Sequence, residues 1–173
     1  LERVYVHERV AAAFIERLVA RAGAVPLNYP DSRRGQVGPL IFARQAEIIA
    51  GQLADAVAKG ARILTGGAVE THGGGLWLRP TVVTGVTHAM TLMTEETFGP
   101  VLPVMPFRDT AEAVRLANDS IYGLSAAVFG DEAEALAIAR QLNVGAVSIN
   151  DGGLTTEVFD AEKNAFNLSG LGA

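Results

Sequence analysis

Cysteine is absent from the 173 residues. This excludes disulfides, thiolate metal sites and any cysteine nucleophile supplied by the chain itself. Histidine is scarce: His7, His72 and His88 stand at spacings that fit no metal-ligand pattern, so no metal site is expected. There is no block of basic residues. Acids outnumber bases 19 to 14, giving a net charge of −5, which argues against nucleic-acid and anionic-membrane partners. No apolar run approaches the roughly 20 residues of a membrane-spanning helix. The opening "LERVYVHERV" lacks the long apolar core of a signal peptide. It reads as a strand entered in mid-domain, and the start at Leu1 without methionine suggests that upstream sequence has been removed. Common catalytic signatures are missing too. No G-x-G-x-x-G follows a strand-like segment, and there is no Walker loop and no G-x-S-x-G. These absences are compatible with a cytoplasmic protein.

What is present is a globular composition, 49 % hydrophobic and 19 % charged, and enough chain for one domain, 1–173, with a sizeable core. Val4, Tyr5 and Val6 have strand composition. Residues 9–23 carry apolar Val10, Phe14, Leu18 and Val19 at helical spacing. A Pro-, Gly- and Arg-containing loop follows through about Gly38. "FARQAEIIAGQLADAVAKG" predicts a second helix closed by Gly60. "ARILTGG", "LWLRPTVV" and "VLPVMPF" predict strands, with Pro80 favouring an edge or a break. "DTAEAVRLAND" predicts a helix capped by Asp109 or Thr110, with Glu112 near the third position. "LSAAVFG", "DEAEALAIARQL" and "GAVSIN" predict strand, helix and strand; the rest, from Asp151, reads as loop. This alternation predicts an α/β fold with a largely parallel sheet, and the unbroken apolar strands suit burial on both faces.

Candidate ligand chemistry concentrates in "TEETFGPVLPV", residues 94–104. Two adjacent carboxylates, Glu95 and Glu96, precede Phe98, a Gly-Pro turn and an apolar strand. One reading is an exposed turn in solvent. The other aims a glutamate at a ligand: a carboxylate accepts hydroxyl hydrogen bonds from a ribose, an aromatic lines a planar ring, and Gly99 permits close approach. His72, in "THGGG", reads as a solvated turn residue, His88 as a helix-start residue, and Gly73, Gly74 and Gly75 as a turn rather than a phosphate cradle. A hydrolase is disfavoured, since neither a serine elbow nor a His-Asp partner is evident.

Several segments in order, "ERVYVHE", "GPLIFARQ", "AVAKGARILTGG", "LRPTVV", "MTEETFGPVLPV", "EAVRLANDSIYGLSAAVF" and "GAVSIND", resemble the C-terminal part of the aldehyde dehydrogenase superfamily along the whole chain. The resemblance implies a three-layer α/β catalytic-domain fragment of an enzyme that oxidises an aldehyde to a carboxylic acid with NAD or NADP through a cysteine thiohemiacetal. It implies that Glu96 bonds the nicotinamide ribose, that Phe98 lies beside the nicotinamide, and that Gln45 is on the cofactor side. Residues 151–159, including Leu154 and Phe159, together with Phe166, are implied to line the aldehyde entrance. It implies a homo-oligomer for the complete enzyme. The ending "AEKNAFNLSGLGA" is similar to the "PFGGxKxSGxG" closing motif in variant form, departing from it before the Ser-Gly. The family's nucleophilic cysteine, oxyanion asparagine, general-base glutamate and dinucleotide domain precede the segment matching "ERVYV". No catalytic residue is therefore expected within this chain, and Asn150 is expected to anchor a strand end. The isolated polypeptide is expected to be inactive. The alternative is a non-catalytic structural or interaction domain on the same scaffold.

Overall fold

The computed structural model describes residues 2–154 and 164–170. The chain divides into two compact units, residues 1–107 and 108–173.

The first unit is built on a four-stranded sheet. Its elements are β1 (Val4–His7), α1 (Glu8–Gly23), α2 (Ala43–Ala58), β2 (Arg62–Thr65), β3 (Val69–His72), β4 (Gly75–Leu78), β5 (Thr81–Thr84), α3 (Thr91–Thr94) and β6 (Val101–Phe107). The sheet order is β1-β6-β5-β2. β6 runs parallel to both β1 and β5, with Val4 opposite Val104 and Thr81 opposite Val101. β2 closes one edge antiparallel to β5, with a register shift between Ile63 and Thr65. Successive strand residues point to opposite faces, and the two faces serve different cores. Val82 and Val104 join Val6, Ala11 and Ala22 under α1. Val83 and Val101 join Ile49, Leu53 and Ala56 of α2 with Met90, Leu92 and Met93 at α3. Burial on both faces explains why these strands read as continuous apolar runs.

Local chemistry sets the ends of these elements. The His7 ring accepts a hydrogen bond from Arg9 N–H at the start of α1. α2 ends at Ala58 with Lys59 as its C-cap, and Gly60 follows with φ +97° while its N–H bonds Val57 O, the left-handed closure that glycine supplies without steric cost. Pro80 is a break: the expected strand 76–83 is two strands in two sheets, because proline has no N–H to continue a ladder. Leu78 ends β4, paired with β3, and Thr81 begins β5, paired with β6. β3 did not stand out in the sequence, since its Glu and His interrupt any apolar pattern. Gly73 and Gly74 form the two-residue turn of the β3–β4 hairpin, both at positive φ, as the turns that match strand twist require.

His72 is not a solvated turn residue. Its ring stacks on Tyr29 with centroids 5.3 Å apart and its Nε2 lies 2.7 Å from Glu70 Oε2. Trp77, the single tryptophan and 5 % exposed, packs edge-on to both rings and donates from Nε1 to His72 O at 3.0 Å. This cluster fastens the loop carrying Tyr29 to the hairpin. Glu70 also accepts from Arg79 Nε at 2.7 Å, and the His72 and Arg79 bonds hold its carboxyl below the usual carboxylate range.

The second unit contains α4 (Thr110–Asn118), β7 (Tyr122–Gly123), β8 (Ser125–Val128), α5 (Glu132–Ala139), β9 (Ala146–Ile149) and β10 (Phe166–Asn167). β8, α5 and β9 form a parallel βαβ unit with Ser125 opposite Ala146. Asp109 caps α4 by accepting from Glu112 N–H, and Glu112 reaches back to accept from Arg108 N–H. Asp131 caps α5 through the N–H groups of Ala133 and Glu134. Asn150, at φ +55°, bonds both the N–H and the carbonyl of Gly130, so it anchors the end of β9 to the start of α5. β7 pairs antiparallel with β10, and β10 lies within the stretch from Asp151 expected to be loop.

Candidate functional site

The stretch between α3 and β6 is shaped almost entirely through its backbone. Glu95 is extended after α3, Thr97 is buried, and Phe98 adopts φ +48° before Gly99 and Pro100 lead into β6. Non-glycine residues enter this left-handed region only when their surroundings hold them there. Four successive backbone groups are held by side chains. Gln52 Nε2 donates to Glu96 O at 3.2 Å, and Gln45 Nε2 donates to Thr97 O. Glu2 Oε2 accepts from Thr97 N–H at 3.0 Å, and Glu2 Oε1 accepts from Phe98 N–H at 3.3 Å. Gln45 and Gln52 are two turns apart on α2 and flank Ile49, so all three face the turn on the buried side of the helix. A β-carbon at Gly99 would lie 2.6 Å from Ile49 Cδ1, so only glycine lets the turn lie this close to α2.

With its backbone tied down, the turn presents its side chains outward. Glu96 is exposed, and its carboxylate has no hydrogen bond or ion pair among the described residues. Phe98 is 67 % exposed. A free acceptor beside an accessible aromatic face suits a ligand with vicinal hydroxyls attached to a planar ring.

Of the residues picked out in the sequence, Glu96, Phe98 and Gln45 come together in this turn. Gln45 is buried and reaches the site through Thr97 O rather than with a free amide. Leu154 and Phe166 belong to the second unit and are both exposed. Leu154 follows a turn in which Asp151 Oδ1 accepts from Gly153 and Leu154 N–H at 2.7 Å each. Phe166 lies on β10 opposite Gly123. Phe159 lies outside the described residues. Glu2 and Gln52 escaped the sequence reading. Gln52 carried a signal, a second glutamine seven residues after Gln45 on the apolar face of α2; Glu2 carried none, being one exposed-type residue before a strand.

His88 precedes α3, and its Nε2 lies 2.9 Å from Tyr5 Oη. Asp55 on α2 accepts from Thr91 N–H at 2.9 Å and pairs with Lys59 Nζ at 2.7 Å, fixing the start of α3 just ahead of the site. The Lys59 bond, followed by that from Thr91, holds the Asp55 carboxyl below its ordinary range. Among the described residues, no three His, Asp or Glu side chains converge as metal ligands, and no helix is long and apolar enough to cross a membrane.

Comparison with known proteins matches the chain to one family. The aldehyde dehydrogenase family profile matches residues 1–173. A putative NADP⁺ succinate-semialdehyde dehydrogenase of Mycolicibacterium smegmatis is 38 % identical over 153 residues, which cover 88 % of this chain and 30 % of that protein. A betaine aldehyde dehydrogenase of Brucella melitensis is 36 % identical over 174 residues, covering 98 % of this chain and 35 % of its own length. Among solved structures, a putative aldehyde dehydrogenase, PutA, from Anabaena variabilis superposes with a TM-score of 0.97 at 58 % identity, covering all of this chain and 37 % of that one. An aldehyde dehydrogenase from Bacillus cereus in complex with NAD⁺ gives 0.90 at 34 % identity over 98 % of this chain and 34 % of its own. The chain thus spans about a third of the length of the relatives it matches. By sequence over its whole length and by fold, this chain belongs to the aldehyde dehydrogenase family.

Proposed function

We propose that these residues form part of the catalytic domain of an NAD(P)-dependent enzyme that oxidises an aldehyde to a carboxylic acid. The observation that carries this reading is the Glu96–Phe98 turn, whose backbone is fixed from two sides while its carboxylate and ring stay free. Its setting in a family-matched chain supports it. In this reading Glu96 accepts the ribose hydroxyls of the cofactor and Phe98 packs beside its nicotinamide. Gln45 holds the turn from beneath. Leu154, Phe159 and Phe166 line the aldehyde entrance. The nicotinamide, when bound, supplies the hydride acceptor. The chain's own contribution is to orient that ring and to exclude water from one side of it.

No residue here supplies the nucleophile. The family chemistry needs a thiolate, and the chain has no cysteine; the thiol must come from outside these 173 residues. Either NAD or NADP fits, because the turn addresses the nicotinamide half common to both. We propose a homo-oligomer for the complete enzyme, on the family resemblance, and a cytoplasmic setting, with which the absence of cysteine is compatible.

The test is a steady-state assay with NAD or NADP and short, semialdehyde and aminoaldehyde substrates, following the reduced cofactor. The purified 173-residue chain is expected to show no turnover. The enzyme that carries it beside a cysteine and a dinucleotide domain is expected to oxidise at least one of them. Turnover by the cysteine-free chain alone, or none by the complete enzyme with any aldehyde, would overturn the proposal.

A further inference from the structure

We infer that Glu2 is a positioning residue for the cofactor turn, acting through the backbone of residues 97 and 98. The inference rests on the reading of Glu96 and Phe98 as the cofactor contacts. Three side chains converge on two consecutive peptide units. In the first unit, Glu96 C=O accepts from Gln52 and Thr97 N–H donates to Glu2. In the second, Thr97 C=O accepts from Gln45 and Phe98 N–H donates to Glu2. Each peptide plane is therefore held at both ends, with donors arriving from α2 and the acceptor from the residue pair before β1. A plane pinned at one end still rotates about the chain; pinned at both, it does not.

Glu2 is the part of this clamp that no neighbouring glutamine can replace. A carboxylate has two equivalent oxygens and only acceptor capacity, and here each oxygen takes one N–H. These are charge-assisted bonds to adjacent amides. They bear directly on Phe98, the residue at φ +48°. Without them the Thr97 and Phe98 amides lose their protein acceptor, and the turn is free to relax toward extended backbone. Glu96 and Phe98 would then leave the geometry the cofactor meets. Glu2 touches neither reacting atoms nor ligand; it acts by removing alternative conformations before binding, which is how preorganisation raises affinity.

The test compares Glu2→Ala, Glu2→Gln, Glu96→Ala and the double variant Glu2→Ala/Glu96→Ala in the enzyme that carries this chain. Cofactor KM, kcat, melting temperature and hydrogen exchange of the segment 95–99 are measured in each. Glu2→Ala is expected to raise the cofactor KM about tenfold with kcat changed by less than about twofold, the pattern of lost uniform binding. Glu2→Gln, which keeps one acceptor oxygen, is expected to rise about threefold. Exchange of the 97 and 98 amides is expected to quicken in Glu2→Ala while the melting temperature stays within a few degrees. On the Glu96→Ala background, Glu2→Ala is expected to add less than its own factor, because the group it positions is gone. A purely structural role would lower kcat and melting temperature together and add its full factor. That result, or unchanged exchange at 95–99, would overturn the inference. A harmful Glu96→Ala with a harmless Glu2→Ala sinks the positioning role alone. A neutral Glu96→Ala sinks the cofactor reading on which it rests.

Discussion

Glu96 and Glu95 are adjacent, identical and both exposed, yet they are not equivalent. Glu95 terminates α3, its N–H bonded to Thr91 O. The carbonyl of Glu96 is held by Gln52, so its side chain leaves the turn in a fixed direction. In the complete enzyme, Glu96→Gln is expected to raise the cofactor KM about tenfold. That is the effect of losing one charge-assisted contact of about 1.5 kcal/mol at an exposed position; Glu95→Gln is expected to change it less than twofold. Steady-state kinetics on the two variants separates them. Position 99 offers a structural counterpart. Gly99→Ala would drive a methyl against Ile49 Cδ1 and is expected to cost about 1–3 kcal/mol of unfolding free energy. Ile49→Val removes that same δ carbon. The double variant is therefore expected to recover much of the loss from Gly99→Ala, beyond the ~0.5–1.5 kcal/mol that Ile49→Val costs by itself, as read from denaturant midpoints. The candidate site was half legible in the sequence at this scale. Acidic, aromatic and glycine residues in "EETFG" could be picked out because their chemistry is their own, and they left open both a solvent turn and a ligand contact. Glu2 and Gln52 do not, because their role exists only through backbone groups 95 and 44 residues away in the chain.

Among the elements, α2 and α3 share the most consequential joint. Asp55 receives the first N–H of α3 and the Lys59 ammonium, and its carboxyl is held below the ordinary value of 3.8. The folded state thus prefers the ionised form more strongly than the unfolded chain does. The stabilisation is fully present above pH 3.8 and is lost as the pH falls through the lower folded value. Between pH 5 and about pH 2, Asp55→Asn is expected to flatten the loss of stability seen in the parent chain, while being less stable than the parent at neutral pH. Thermal melts across that range check both points. The strands show where sequence patterns stop. β5 and β6 were readable because burial on both faces demands apolar runs. β3 was not, since a hairpin strand whose Glu70 and His72 serve an Arg79 and Tyr29 cluster carries no period of its own. Pro80 was read correctly as a possible break, but only the pairing shows that the two halves enter different sheets.

For the whole molecule, the uncovered apolar side chains stand out. Ile41, 89 % exposed, Phe42 and Phe98 are exposed in the first unit, and Leu124 and Phe129 are exposed in the second. Exposed apolar groups favour association where they gather into a patch. The 173-residue chain is expected to self-associate at micromolar concentration, with static light scattering giving a mass well above 18.1 kDa. A clean monomer would argue that these residues need no cover. The α/β alternation and parallel strands were legible because unbroken apolar strand segments alternate along the chain with helices of period 3.6. The division into two compact units was not, because no Gly- or Pro-rich linker marks the step from Phe107 to Arg108.

One consequence of the Tyr29–His72–Trp77 cluster is spectroscopic. Because Trp77 is the single indole in the chain and is packed against the rings that hold the 25–39 loop to its hairpin, the emission of the unlabelled polypeptide reports on one joint rather than on an average of many. A red shift that precedes the loss of helical circular dichroism would time the release of that loop separately from the collapse of the sheet. The protein thus carries a built-in fluorophore at the joint between that loop and its hairpin.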